Sequence, residues 1–142
     1  MAHPLLRQLL REELSILVVR DGEELYRSQL PGVRPLLELW DRFPGGLKGV
    51  TVADRVVGGC AARVFAHLAV SRVLALTGSV PARAILAAAG IEFLVERGVL
   101  DIRNRNGTDS CPFEQLSRHY HRAERLIPAI RARLDALRRA GS

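Results

Sequence analysis

The stretch Val50-Thr51-Val52-Ala53-Asp54-Arg55-Val56-Val57-Gly58-Gly59-Cys60-Ala61 decides the fold class. Its first four residues, three of them β-branched or valine-like, read as a buried strand. Asp54 then stands where a helix cap is expected. Val57, Cys60, Ala61, Val64 and Leu68 follow at the spacing of one helical face. Such a strand-to-helix step recurs downstream. Val73-Leu74-Ala75-Leu76 reads as a strand, and residues 81–89, opened by Pro81 and closed by Gly90, read as a helix. Ile91 to Leu94 and Val99 to Ile102 read as two short β pieces. Alternation of this kind builds a sheet with helices packed on its faces.

Upstream, residues 4–13 place Leu5, Leu6, Leu9 and Leu10 on a short amphipathic helix. Ser15-Ile16-Leu17-Val18-Val19 and Glu23-Glu24-Leu25-Tyr26 flank Asp21-Gly22, a pair suited to a two-residue hairpin turn that needs positive φ at both positions. After Pro31-Gly32, the spacing of Val33, Leu36, Leu37 and Trp40 predicts a helix ending before Pro44-Gly45-Gly46. A hairpin feeding into alternating strands and helices implies a mixed sheet, and hence a three-layer α/β/α arrangement over a single domain, residues 1–142.

Composition narrows the class. Nearly half of the 142 residues are apolar, too many for a disordered chain, and no run approaches the ~18 apolar residues of a membrane span. Two cysteines do not make a disulfide framework, and the start Met1-Ala2-His3-Pro4 does not read as a secretory leader, so a cytoplasmic setting without membrane contact is expected. The net charge of +6 is concentrated at one end. Residues 115–142 hold seven arginines against Glu124 and Asp135. A helix of about 123–140, with Leu126, Ile127, Ile130, Leu134 and Leu137 facing inward and Pro128 marking an early turn or kink, would display them. Without aromatic residues interleaved for base stacking, that helix offers weak, sequence-indifferent attraction to nucleic acid.

The common catalytic signatures are missing: no glycine-rich dinucleotide or phosphate loop, and no His-Glu-x-x-His. Gly58-Gly59 reads as a place of close packing, and His67 as a structural residue. Ser110-Cys111-Pro112-Phe113-Glu114 predicts a helix start with Cys111 as cap, Pro112 first, and Glu114 third, placed to bond back to the Cys111 N–H. The same geometry supports a chemical reading, because a thiol at a helix start is drawn toward thiolate. Asp54 and Arg55 mark a carboxyl strand end, where open α/β sheets bind ligands, and Arg34 opens another helix.

Gly32-Val33-Arg34-Pro35-Leu36-Leu37-Glu38-Leu39, Val52-Ala53-Asp54-Arg55-Val56-Val57-Gly58, and the segment from Asn104-Arg105 to Cys111-Pro112-Phe113-Glu114 together resemble the bacterial and archaeal family called domain of unknown function 1893. The resemblance covers roughly residues 5–118. Where the family pattern has a lysine and a small residue after the glycine, this chain has Gly59 and Cys60. The family is similar to the cytidine-deaminase-like superfamily, so the resemblance implies a three-layer α/β/α fold with a mixed sheet. Active deaminases hold zinc through His/Cys-x-Glu at one helix start and Pro-Cys-x-x-Cys at the next. By that resemblance Cys111 matches one thiolate, Glu114 falls where the second cysteine would be, and Asp54 falls near the histidine, with no counterpart to the general-acid glutamate. One thiolate and two carboxylates are a poor zinc set, so neither a metal, a cofactor nor hydrolytic deamination is expected.

Three functions follow as expectations. The first is binding of a small anionic ligand such as a nucleotide by Arg34, Asp54, Arg55, Asn104, Arg105, Cys111 and Glu114. The second is thiol or redox chemistry at Cys111, with Cys60 a candidate neighbour and Glu114 a candidate catalytic partner. The third is the weak hold on nucleic acid through the C-terminal helix.

Overall fold

Asp21 and Gly22 adopt φ of 49° and 81°, the paired positive values that a two-residue hairpin turn requires. They join β1 (Ile16–Arg20) to β2 (Glu23–Ser28) in antiparallel register. These coordinates are a computed structural model that describes residues 3–103 and 111–141. Around the hairpin, α1 (Pro4–Arg11) comes first. Then follow α2 (Arg34–Arg42), β3 (Thr51–Val57), α3 (Gly59–His67), β4 (Arg72–Ser79), α4 (Val80–Ala88), β5 (Glu92–Val99), α5 (Pro112–His119) and α6 (Ala123–Ala140). β1 pairs antiparallel with β3 on its second side, while β3, β4 and β5 run parallel. The result is an α/β fold with a five-stranded mixed sheet in the order β2-β1-β3-β4-β5 and, among the described residues, six helices.

Side chains alternate along the strands and so divide the apolar residues between two faces. Leu17, Ala53 and Leu74 meet Leu6 and Leu9 of α1. On the other face, Ile16, Val18, Val52 and Val73 pack with Leu36 and Leu39 of α2, Phe65 of α3, Leu86 of α4, and Leu126 and Ile130 of α6. Helices therefore lie on both faces, unevenly: among the described residues, α1 is the helix that packs on one of them. Among the described residues, no helix is long and apolar enough to cross a membrane.

The deciding stretch behaves differently from its sequence expectation. Asp54 does not cap a helix; it lies mid-strand, and α3 begins at Gly59 behind an extended Gly58. Pairing explains this. Val56 and Val57 continue the parallel ladder opposite Thr77 and Gly78, and a helix begun at residue 54 would take that pairing away from β4. Of the two expected β pieces, the first lengthens into β5, which runs to Val99, while Leu100 to Ile102 of the second lie beyond its end and form no strand. Arg97 and Gly98, which break the apolar pattern, stay paired opposite Thr77 and Gly78, and an edge strand tolerates such exposed polar residues. Ser79 caps α4, its hydroxyl accepting from the Ala82 N–H at 3.2 Å, and Gly90 leaves that helix with φ of 73°. In α6, Leu126, Ile127 and Ile130 are buried and Leu134 packs at the margin of the core. Leu137 does not face inward as expected: it is 43% exposed, because the core ends before the helix does.

Candidate functional site

Where β3 gives way to α3, the first backbone N–H groups of the helix have no partner within the helix. The Gly59 N–H donates to Oε2 of Glu114 at 2.6 Å, and Glu114 is only 7% exposed. The carboxyl reaches across because two glycines leave it room. A Cβ on Gly58 would lie 2.5 Å from the Glu114 Cδ, and one on Gly59 would lie 2.8 Å from the Ser117 Oγ. Gly58-Gly59 is thus a place of close packing, with α5 docked on it. Arg63 ties the two helices again, donating from Nε to the Ser117 carbonyl at 2.7 Å.

The expected turn-closing bond inside α5 does not form. Cys111 caps the helix and Pro112 opens it as anticipated. The Cys111 N–H, however, donates to the Ile102 carbonyl at 2.9 Å, and Glu114 serves its neighbour α3 instead.

Above this junction lies a cavity of about 310 Å³ into which three helix starts converge. Val33, Pro35 and Leu36 line it from the start of α2, Gly58, Cys60 and Ala61 from α3, and Cys111, Phe113 and Glu114 from α5. Asp54, Arg55 and Val56 complete it from the carboxyl half of β3. The wall is mainly apolar. Burial pushes the Asp54 carboxyl up to about 7, against the opposing pull of the Val56 and Arg55 N–H groups. Burial also raises the Glu114 carboxyl, opposed by the Gly59 and Cys60 N–H groups. The Cys60 thiol is pushed far up by burial and then by the charges of Glu114 and Cys111. Near neutral pH the cavity therefore presents a neutral thiol and carboxyls that hold protons more readily than usual, which can donate as well as accept hydrogen bonds.

Of the residues anticipated from sequence, Asp54, Arg55, Cys111 and Glu114 come together here. Arg34 is exposed at the first position of α2 and is not part of the wall. Asn104 and Arg105 lie outside the described residues. Arg55 donates from Nε to the Leu14 carbonyl at 2.6 Å, so its guanidinium is engaged at the α1–β1 connection. Sequence reasoning missed a second hollow of about 480 Å³ that shares Val56 and Ile102 with the first. Thr77, Arg97, Asp101 and Arg103 line it, and Asp101 pairs with Arg118 at 2.6 Å. The rule that ligands gather at carboxyl strand ends would have found Thr77 and Arg97, had β4 and β5 been read to their full length. Among the described residues, no group of three or more His, Cys, Asp or Glu side chains is placed to hold a metal ion.

The chain has no match among curated proteins. Among solved structures it is similar to a DUF1893 family protein from Thermotoga maritima, at 26% identity over 91% of this chain and 86% of that one, with a TM-score of 0.81. The sequence model described as "Domain of unknown function (DUF1893)" matches residues 5–134, and the chain belongs to that family.

Proposed function

We propose that this chain is a non-catalytic, deaminase-like domain that binds a small phosphorylated heterocycle, such as a nucleotide, at the carboxyl edge of its sheet. One observation carries the reading: an apolar cavity of about 310 Å³ has Val56 and Ile102 in common with a neighbouring hollow lined by Arg97 and Arg103. Ligand cavities commonly run from about 300 Å³ upward, with a few polar groups fixing orientation. Phe113 offers a face for a planar ring, and protonated Asp54 offers a donor to a ring nitrogen or carbonyl. The anionic group belongs over the arginines and not at the start of α3, where the Glu114 carboxyl already takes the Gly59 N–H. This division of the ligand differs from the expectation of one anion site formed by Arg34, Asp54, Arg55, Asn104, Arg105, Cys111 and Glu114.

The deaminase resemblance also supports binding without hydrolysis. With α3 beginning at Gly59, the helix start that should carry His-x-Glu reads Gly58-Gly59-Cys60. Glycine offers no metal donor at the first position, cysteine replaces the acid at the third, and Glu114 fills the space over Gly58. These residues do not fit a zinc centre.

Thermal-shift and calorimetric titration with a nucleoside, its monophosphate and inorganic phosphate test the reading. The monophosphate should bind best. An Arg97→Ala, Arg103→Ala double variant should lose about tenfold or more of that affinity, in line with charged hydrogen bonds of ~1.5–3 kcal/mol. Failure of every compound to bind, or equal binding by the double variant, refutes it.

A further inference from the structure

The two cysteines of the chain are both free and both line the same cavity. Cys60 is the second residue of α3 and Cys111 is the cap of α5. Two bonds hold these helices together, from the Gly59 N–H to Glu114 in their first turns and from Arg63 Nε to the Ser117 carbonyl further along. Glu114, three residues after Cys111, accepts from the N–H of Gly59, the residue before Cys60, so the two cysteines stand at helix starts held against each other. The two differ in access: Cys111 is half-buried, whereas Cys60 is 2% exposed.

We infer that Cys60 and Cys111 form a peroxide-responsive thiol pair whose disulfide closes the cavity against its ligand. Cys111, the accessible member, meets the oxidant first. Its sulfur attacks one peroxide oxygen, an S–O bond forms, the O–O bond breaks, and the departing hydroxide takes a proton and leaves as water. The Cys60 sulfur then attacks the Cys111 sulfur. An S–S bond forms, the S–O bond breaks, and the second hydroxide leaves as water with the Cys60 proton. Two thiols and one hydrogen peroxide thus give one disulfide and two waters. Burial of Cys60 disfavours its thiolate, so the second step is the slow one and the sulfenic acid on Cys111 accumulates ahead of it. A disulfide holds its two Cβ atoms ~3.5–4.5 Å apart. It would therefore run through the space between α3 and α5 that the ring of a ligand needs. The closure rests on the ligand reading above; the thiol pair does not.

The experiment uses the whole chain, treated with hydrogen peroxide and followed by intact mass and by peptide mapping without reduction. The expected products are an intrachain Cys60–Cys111 cross-link, an intact mass lowered by two hydrogens, and full reversal by dithiothreitol. In Cys60→Ala, dimedone should trap a sulfenic acid on Cys111. In Cys111→Ser, a second variant that leaves the core untouched, Cys60 should stay reduced at the same peroxide dose. Cys111 driven beyond sulfenic acid in the folded wild-type chain while Cys60 remains alkylatable on unfolding overturns the proposal, and so does a cross-link found only between chains. Binding of the nucleoside monophosphate, measured before and after oxidation, separates the two claims. If the cross-link forms and binding is unchanged, closure is wrong; if the reduced chain binds no probe at all, it is the ligand reading that falls.

Discussion

At the residue scale, Glu114 holds the site together, and its contribution is directly measurable. Leaving the buried Gly59 N–H without its acceptor should cost about 1–3 kcal/mol, read as a lower urea midpoint for Glu114→Ala, with Glu114→Gln losing less because an acceptor oxygen remains. Gly58→Ala should approach the same loss, since the new methyl occupies the space of the Glu114 carboxyl. Asp54 sets a pH dependence. Its carboxyl is raised from 3.8 to about 7 in the folded chain, so the folded state binds the extra proton between those values. Stability should therefore be fullest below about pH 4, fall as pH rises through 7, and then level off. Glu114 adds to the same trend. Thermal melts across pH 4–8 should show the fall in wild type and a flatter profile in Asp54→Asn; a rise with pH in wild type would contradict the burial argument. None of this was legible at residues 54 and 114 in isolation. Asp54 has the look of a helix cap and Glu114 that of an inward-bonding third residue; the first expectation failed because β4, some twenty residues on, holds residues 51–57 as a strand, and the second because the Gly59 N–H of a distant helix takes the Glu114 carboxyl.

At the scale of elements, legibility followed the number of faces that are buried. The hairpin could be read from Asp21-Gly22, and α1, α2 and α4 from one-sided apolar spacing and their flanking proline or glycine, because these pieces show one face to water. β3 could not be measured correctly, since a strand covered on both sides lacks alternation, and β5 could not because an edge strand breaks its pattern freely. α6 was placed well but its inward stripe was drawn too long. Ile130, fully buried, should cost about 2–5 kcal/mol when cut to alanine, whereas Leu137→Ala should stay within ~0.5 kcal/mol. Equal losses at the two positions would mean that the end of α6 packs in solution. The basic display of this end of the chain is also smaller than its composition suggests: Arg118, Arg122 and Arg131 pair with Asp101, Glu124 and Asp41. Fewer phosphates could then be countered than seven arginines suggest, so a hold on nucleic acid by this end of the chain would be weak, with a shallower salt dependence than seven contacts would give.

At the scale of the whole molecule, the strand order has a consequence for how the protein is made. Beyond the opening hairpin, every strand joins the open edge left by an earlier one: β3 lies against β1, β4 against β3, β5 against β4. A chain emerging from the ribosome at ~5–20 residues per second can therefore extend its sheet outward in the order of synthesis, each edge serving as a template for the next arrival. The cavity cannot be made that way. Cys111 caps α5 and Phe113 and Glu114 lie in its first turn, so the wall that closes the site and caps α3 is delivered only with the last quarter of the chain. A nascent or prematurely ended product would carry the whole sheet and yet expose the bare Gly58-Gly59 floor. Such a product would keep Asp54, Arg97 and Arg103 but lack Phe113 and Glu114 of the cavity wall, and with them the core contacts of Leu126 and Ile130.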